Sequence, residues 1–507
     1  MATAQCFVIF ILLNFLFLPE IHCWIPIMLR GRPTGGMVGP PQPKGPANSS
    51  VPVELWFDFQ LLDHFNATDQ RRWSQRYFVN GNLYQSGGPI FLMLSGEAEA
   101  DPAWLQYGAW IEYAKTHNAF LILLEHRFYG KSRPLGDLSL DSMQFLNSRQ
   151  ALADTAGFIG GMFSIRNKFN LTDNKVIVFG GGYAGSLAAW FRSKYPQFVD
   201  GVVASSAPVF AEVDFKEYLG VVSEVMGRSS PTCNNRTAEA IQMIFEWWGQ
   251  PDKRTKMFTM YQLCDHINHD SIIEPYAFYN SLAYNFEIIG QYNNVNRVLE
   301  GLTDTYNNVT VDTLCNIMSD ESRGPSIQRY ADVNALLLKM FSKKCHDYKY
   351  DKLIADLKCT KWTDAVAEGV RQWLFQSCTE FGWYPSADWY GHQPFGDIFT
   401  MGFNYSCDQC ASVFGRDYFC IAETGAQETN LYYGGFNMQL TRAAFPTGTN
   451  DPWHALAFNN TKLEDVVPIV IQGSAHCADM YTPTPQDPPQ LTSAREKINS
   501  LIGRWIS

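Results

Sequence analysis

Ile90–Leu94 and Ala119–Leu124 are unbroken apolar runs of strand length, each bounded by glycine or polar residues. Runs of this kind predict strands buried on both faces. Between them Trp104–Lys115 carries a helical pattern. From Asp141 to Lys168, Leu152, Ala156, Ile159 and Phe163 recur at helical spacing and predict one long amphipathic helix. Val176–Phe179 reads as the next strand, Leu187–Lys194 as a helix stopped by Pro196, and Gly201–Ala204 as a further strand. Such alternation predicts a parallel sheet covered by helices. From about Ala211 to Gly425 the pattern turns mostly helical, as in Ala238–Trp248, Val333–Phe341 and Ala365–Phe375. Strand signals resume at Arg442–Phe445 and Val466–Ile471, and Ala494–Trp505 closes as an amphipathic helix. No internal repeat is visible. The simplest organisation is an α/β domain over residues 53–210 and 426–507, interrupted by a helical cap over 211–425.

The N-terminus adds a destination. Cys6–Leu18 is an apolar run of signal-peptide length, and polar Glu20 and His22 end it, which predicts a signal peptide over residues 1–23. MATAQ lacks the usual basic residues, so a signal anchor is the rival reading. No later stretch reaches the ~18 apolar residues of a membrane span, so no membrane attachment is expected after signal removal. Arg30–Ser50 is rich in Pro and Gly; residues 24–52 therefore read as a flexible leader or pro-segment outside the core. Ten of the twelve cysteines lie beyond the leader, nine of them within 211–425, and an even number in an exported chain favours disulfides. Cys407 and Cys410 form a lone C-x-x-C, for which a disulfide is favoured over zinc because no second ligand pair accompanies it. Asp265, His266 and His269 form a loose ligand-like cluster that, without a further spaced partner, reads as polar residues on the surface. Seven N-x-S/T sequons, at Asn48, Asn66, Asn170, Asn235, Asn308, Asn404 and Asn459, agree with export and glycosylation. The remaining composition changes little: 507 residues with 46% hydrophobic content can bury a large core, and a net charge of −11 without a Lys/Arg run argues against nucleic-acid binding.

The stretch VIVFGGGYAGSLAAWF, Val176–Phe191, carries the chemistry. Gly180, Gly182 and Gly185 stand at G-x-G-x-x-G spacing, the mark of a dinucleotide-binding turn. The same strand, turn and helix also describe the nucleophile elbow of an α/β-hydrolase, with serine in the middle of the glycines. A dinucleotide site needs an acid at the end of the next strand. Asp200 has the right separation but precedes its strand, and two strands come before the glycines. The hydrolase reading expects an acid and then a histidine, each on a loop after a strand. Asp451 in GTNDPWH follows Arg442–Phe445, and His476 in GSAHCADM follows Val466–Ile471. Both fit, in order, and the chemistry needs no cofactor or metal.

Further segments make the resemblance specific: LLDHF at Leu61–Phe65, QRYF at Gln75–Phe78, EHRFYG at Glu125–Gly130, ASSAPV at Ala204–Val209, CTEFGWY at Cys378–Tyr384, TNLYYGG at Thr429–Gly435, DPWH at Asp451–His454 and HCADM at His476–Met480. From about Leu61 to Trp505 the chain resembles the serine carboxypeptidase family of lysosomal Pro-X carboxypeptidase and dipeptidyl peptidase II, nearest its thymus-specific branch. The resemblance implies an α/β-hydrolase fold with a large helical, disulfide-rich cap. It also implies a lysosomal or secreted exopeptidase favouring proline or small residues near the scissile bond. The family elbow reads G-G-S-Y-x-G, so its nucleophile falls on Gly182, its acid on Asp451 and its base on His476. The Tyr183 backbone N–H falls where the first oxyanion donor stands. Two smaller departures are Ser95-Gly96-Glu97-Ala98, where the family has G-G-E-G, and Thr447-Gly448 before the acid loop.

Glycine offers His476 no oxygen to deprotonate. The expectation is therefore an exported homologue that is catalytically inactive or severely impaired, binding peptides, proline-containing ones among them, or pairing with a second copy or an active relative. The alternative is an active serine exopeptidase, with Ser186, Ser205 or Ser206 as substitute nucleophile or with residue 182 misread.

Overall fold

The computed structural model describes residues 26–41, 51–171, 173–294, 309–387, 394–396, 403–459, 462–463 and 465–507. The signal-peptide segment and the sequons Asn48 and Asn308 lie outside them; the other five sequon asparagines are exposed.

Twelve strands are formed among the described residues. β1 (Met28–Leu29) and β2 (Arg32–Pro33) make a small antiparallel hairpin. β3 (Val53–Leu61), β4 (Arg72–Asn80), β5 (Ile90–Leu94), β6 (Phe120–Leu124), β7 (Val176–Gly181) and β8 (Gly201–Ser205) belong to the main sheet. β9 (Glu212–Phe215) and β10 (Gly382–Pro385) pair parallel at the base of the helical region. β11 (Ala443–Gly448) and β12 (Val466–Ile471) return to the main sheet, whose order is β12-β11-β8-β7-β5-β6-β4-β3. From β12 to β6 neighbours run parallel, whereas β4 and β3 are antiparallel additions.

Alternation along the central strands explains the apolar runs. Leu92, Val178 and Val202 feed the core on one face, and Phe91, Ile177 and Val203 the core on the other. The helices Ala109–His117 and Pro489–Ile506 cover the second face, while Ser148–Gly161 and Tyr183–Lys194 cover the first. Between β8 and β11 the chain runs through a series of helices, with only β9 and β10 as strands among the described residues. This fold is an α/β-hydrolase sheet with a helical insertion tied by Cys233–Cys315, Cys264–Cys345, Cys378–Cys410 and Cys407–Cys420. The C-x-x-C cysteines thus bond to other partners and not to each other.

Three expectations differ from what forms. The helix expected over Asp141–Lys168 is three helices, Leu140–Met143, Ser148–Gly161 and Phe163–Phe169. Asn147 starts the second by accepting from the Gln150 N–H at 2.9 Å, the N-cap role that ends the continuity. The helical pattern over Trp104–Lys115 is split at Gly108, whose φ of 101° suits glycine and no helix interior. The largest difference is the leader. Met28, Leu29, Arg30, Arg32 and Met37 are buried between sheet edge and cap, so this Pro/Gly-rich stretch is packed and not free of the core.

EHRFYG is scaffold. Arg127 donates from Nε and Nη2 to the two oxygens of Asp154, both at 2.6 Å, and from Nη1 to the Leu62 and Phe145 carbonyls. Glu125 accepts from Arg76 and from the N–H groups of Ala100, Lys131 and Ser132. These contacts tie β4, β6 and the helix Ser148–Gly161 beneath the site.

In the cap helix Glu274–Gln291, Glu287 is fully buried and neither carboxyl oxygen has a partner among the described residues. Burial pushes its pKa up to about 8. A carboxyl raised in the folded state keeps a proton that the unfolded chain has released. Its stability contribution is complete below the unfolded value of about 4.5 and is lost as pH rises through about 8. Glu287→Gln is therefore expected to flatten the decline in chemical-denaturation stability between pH 5 and pH 8, which for one group is at most ~1.4 kcal/mol per pH unit. An identical decline in both proteins would contradict the assignment.

Candidate active site

Gly182 lies between β7 and the helix Tyr183–Lys194 with φ 57° and ψ −128°, a sharp turn that a side chain makes strained. The neighbouring glycines permit close packing. A Cβ on Gly180 would lie 2.1 Å from the Ala184 carbonyl oxygen, and one on Gly185 would lie 2.8 Å from the Ser205 oxygen. The G-x-G-x-x-G spacing thus serves an elbow in which helix and strands nearly touch. Asp200 accepts from the Val176 N–H at the opposite, N-terminal end of β7, so no ribose-binding acid faces the turn.

Asp451 follows β11 and His476 follows β12, and the sheet order brings both loops beside the elbow. His476 Nδ1 lies 2.9 Å from Asp451 Oδ1, which also accepts from the Trp453 N–H at 3.0 Å. Both side chains are inaccessible. The other imidazole nitrogen, Nε2, has no hydrogen-bond partner among the described residues, and it lies 3.2 Å from the place a Cβ on Gly182 would take. Burial alone would lower the His476 pKa; the Asp451 carboxylate, with Cys477 beside it, outweighs burial and holds it well above the ordinary imidazole value. The Tyr183 N–H begins the elbow helix, whose N-terminal dipole favours negative charge there.

The alternative nucleophiles point elsewhere. Ser186 donates to the Pro208 carbonyl at 2.7 Å, Ser205 to Asp479 Oδ2 at 2.6 Å, and the Ser206 oxygen accepts from the Cys477 N–H at 2.9 Å. Cys477 remains a buried thiol whose sulfur is directed at the Ser205 carbonyl, and burial raises its pKa. Asp265 pairs with Lys352 and His266 stacks on Phe258; no group of three metal-ligating side chains occurs among the described residues.

The residues sequence reasoning missed come from the packed leader and the cap. Met37 lies over the elbow, its sulfur 3.3 Å from the Gly182 Cβ position. Glu97 accepts from the Met37 N–H at 2.6 Å, Tyr292 donates to the Met37 carbonyl at 2.8 Å, and the Gln291 carbonyl accepts from the His476 N–H at 3.0 Å. Glu97 had a signal, the altered G-G-E-G turn. Gln291 and Tyr292 had none, because an amphipathic cap helix does not reveal which of its polar residues face a distant loop.

A buried Asp–His pair set against a strand–turn–helix elbow at the C-terminal edge of this sheet defines an α/β-hydrolase site. The serine carboxypeptidase S28 family pattern matches residues 60–498, and the chain belongs to that family. It is 32% identical to human (Homo sapiens) thymus-specific serine protease over 91% of this chain and 88% of that protein. To mouse (Mus musculus) lysosomal Pro-X carboxypeptidase it is 26% identical, over 89% of each. Among solved structures, a Mycobacterium smegmatis proline iminopeptidase overlaps 85% of this chain and 94% of its own at 10% identity and a TM-score of 0.31. The sheet order, and not that overlap, carries the fold.

Proposed function

We propose that this chain is an exported serine-peptidase homologue in which Gly182 occupies the nucleophile position, leaving Asp451 and His476 as a relay with nothing to activate. The observation that carries this reading is that His476 Nε2 faces Gly182 directly, so that a serine Cβ would sit 3.2 Å from the base. Acyl transfer needs a side-chain oxygen there. In a well-studied serine protease, losing it costs about 10⁶ in turnover, or ~8 kcal/mol of barrier. The Tyr183 N–H and binding alone would leave ~10³–10⁴ over water. The protein then acts by binding peptides in the cleft between sheet edge and cap, and the names of its relatives point to proline-containing ones. Four disulfides and five exposed sequons support residence in the secretory pathway, outside the cell or in the lysosome.

A fluorophosphonate probe tests this reading. The unaltered chain stays unlabelled, whereas a working nucleophile beside the base gives labelling that disappears with His476→Ala. The buried and otherwise engaged Ser186, Ser205 and Ser206 support the first outcome.

A further inference from the structure

The packed leader lies where a ligand of the cleft would lie. Its backbone folds on itself as the β1–β2 hairpin, turning at Arg30 and Gly31, and side chains from both walls hold that hairpin and the residues after it. Gln291 Nε2 donates to the Gly31 carbonyl at 3.0 Å, Tyr292 to that of Met37 at 2.8 Å, Trp373 Nε1 to that of Arg30 at 3.3 Å, and Tyr481 to that of Gly39 at 3.1 Å. Glu97 receives the Met37 N–H. Buried side-chain donors and acceptors that serve a packed backbone lose their partners when it leaves, and so favour a replacement peptide.

Two side-chain features give the site selectivity. The Arg30 guanidinium lies 4.0 Å from the centre of the Tyr384 ring. It donates to Ser377 Oγ at 2.7 Å, to the Ser406 carbonyl at 3.0 Å and to Gln409 Oε1 at 3.5 Å. No carboxylate pairs with it among the described residues. A planar fork stacked on an aromatic face suits arginine and not lysine. The next residue, Gly31, has φ 70°, and a Cβ there would lie 2.4 Å from the Trp453 ring. The pocket therefore reads Arg-Gly.

We propose that residues 27–39 are a tethered ligand of the cleft, and that when they are displaced the cleft takes a peptide from another chain that presents Arg-Gly at a hairpin turn, as Arg30 and Gly31 do between β1 and β2. The proposal rests on the reading of the cleft as a peptide site. It also explains why the base is sealed, since Met37 covers the position over Gly182.

The test uses a fluorescein-labelled peptide with the sequence of residues 27–39, IMLRGRPTGGMVG. In the full chain, Gly31→Val drives the tethered copy off Trp453. Fluorescence anisotropy is expected to show the peptide binding this variant at least tenfold more tightly than the unaltered chain. A peptide with its first arginine replaced by alanine is expected to bind at least tenfold more weakly. Equal affinity for both chains, or no binding by a variant with unaltered circular dichroism and thermal transition, overturns the proposal. Should Gly31→Val fail to fold, an otherwise unaltered chain carrying a sequence-specific protease site across residues 44–50 is cut after folding. The cut chain should exchange the labelled peptide and the uncut chain should not; no exchange overturns the proposal.

Fluorophosphonate labelling of Gly182→Ser separates the two readings. Labelling without peptide binding removes the tethered ligand alone. Peptide binding together with His476-dependent labelling of the unaltered chain removes the vacant-nucleophile reading alone.

Discussion

Gly182→Ser is expected to turn an unreactive protein into one that takes up one fluorophosphonate per chain. A serine Cβ at this turn stands 3.2 Å from His476 Nε2, which puts the hydroxyl within hydrogen-bonding reach of the base. His476 is already oriented by the 2.9 Å contact with Asp451, so the imidazole need only shift by a few tenths of an ångström to admit the new Cβ. Labelling should be slow in the full chain, because Met37 covers the same space. In the Gly182→Ser background, His476→Ala should abolish the reaction, and Asp451→Asn should slow it about 10⁴-fold by leaving the imidazole in the wrong tautomer. The substitution has a cost in stability. A side chain at φ 57° stores about 1–3 kcal/mol of backbone strain, so urea denaturation should show Gly182→Ser less stable by that amount. Absence of labelling in a folded Gly182→Ser protein with the tethered segment displaced would mean that the site has decayed beyond one residue.

Arg127→Ala is expected to destabilise the fold by about 3–5 kcal/mol, enough to unfold a marginal domain at physiological temperature. The guanidinium is wholly buried and makes two 2.6 Å bonds to Asp154, which is itself inaccessible. Burial would raise the Asp154 pKa, but Arg127 and His64 more than offset this and hold it below the ordinary carboxylate value. Removing Arg127 strands that carboxylate in the interior and frees the Leu62 and Phe145 carbonyls. Replacing both partners, as in Arg127→Met/Asp154→Leu, should cost less than the single change, because no charge is left unpaired. Urea midpoints of the three proteins decide the matter. A milder effect for Arg127→Ala than for the double variant would contradict a role for the pair as scaffold.

Which parts of this were legible in the sequence follows from where each element hides its apolar residues. The inner strands are buried on both faces, so Ile90–Leu94 appears as an apolar run and is read to the residue; Val466–Ile471 is equally apolar in sequence, although β12 is an outer strand that leaves Val470 exposed. β3 is an edge strand; VELWFDFQL mixes charges with exposed aromatics and gives no strand signal. Asp451 and His476 were legible because chain order and loop position constrain a hydrolase relay, and the structure joins them. The packed leader was not legible. Its Pro/Gly content reads as linker, whereas its burial depends on donors as distant in sequence as Gln291, Tyr292, Trp373 and Tyr481. Local pattern carries no record of partners supplied by remote side chains. The same limit hid Glu287, whose burial is set by cap packing and not by its own neighbours in sequence.

Intact-mass spectrometry of the unaltered chain after exposure to excess fluorophosphonate tests the central claim most directly. A vacant nucleophile position predicts a spectrum without the probe's added mass, beside full conversion of an active serine peptidase run in parallel. A single adduct per chain that vanishes with His476→Ala would show that a nucleophile is present after all, and would contradict the account.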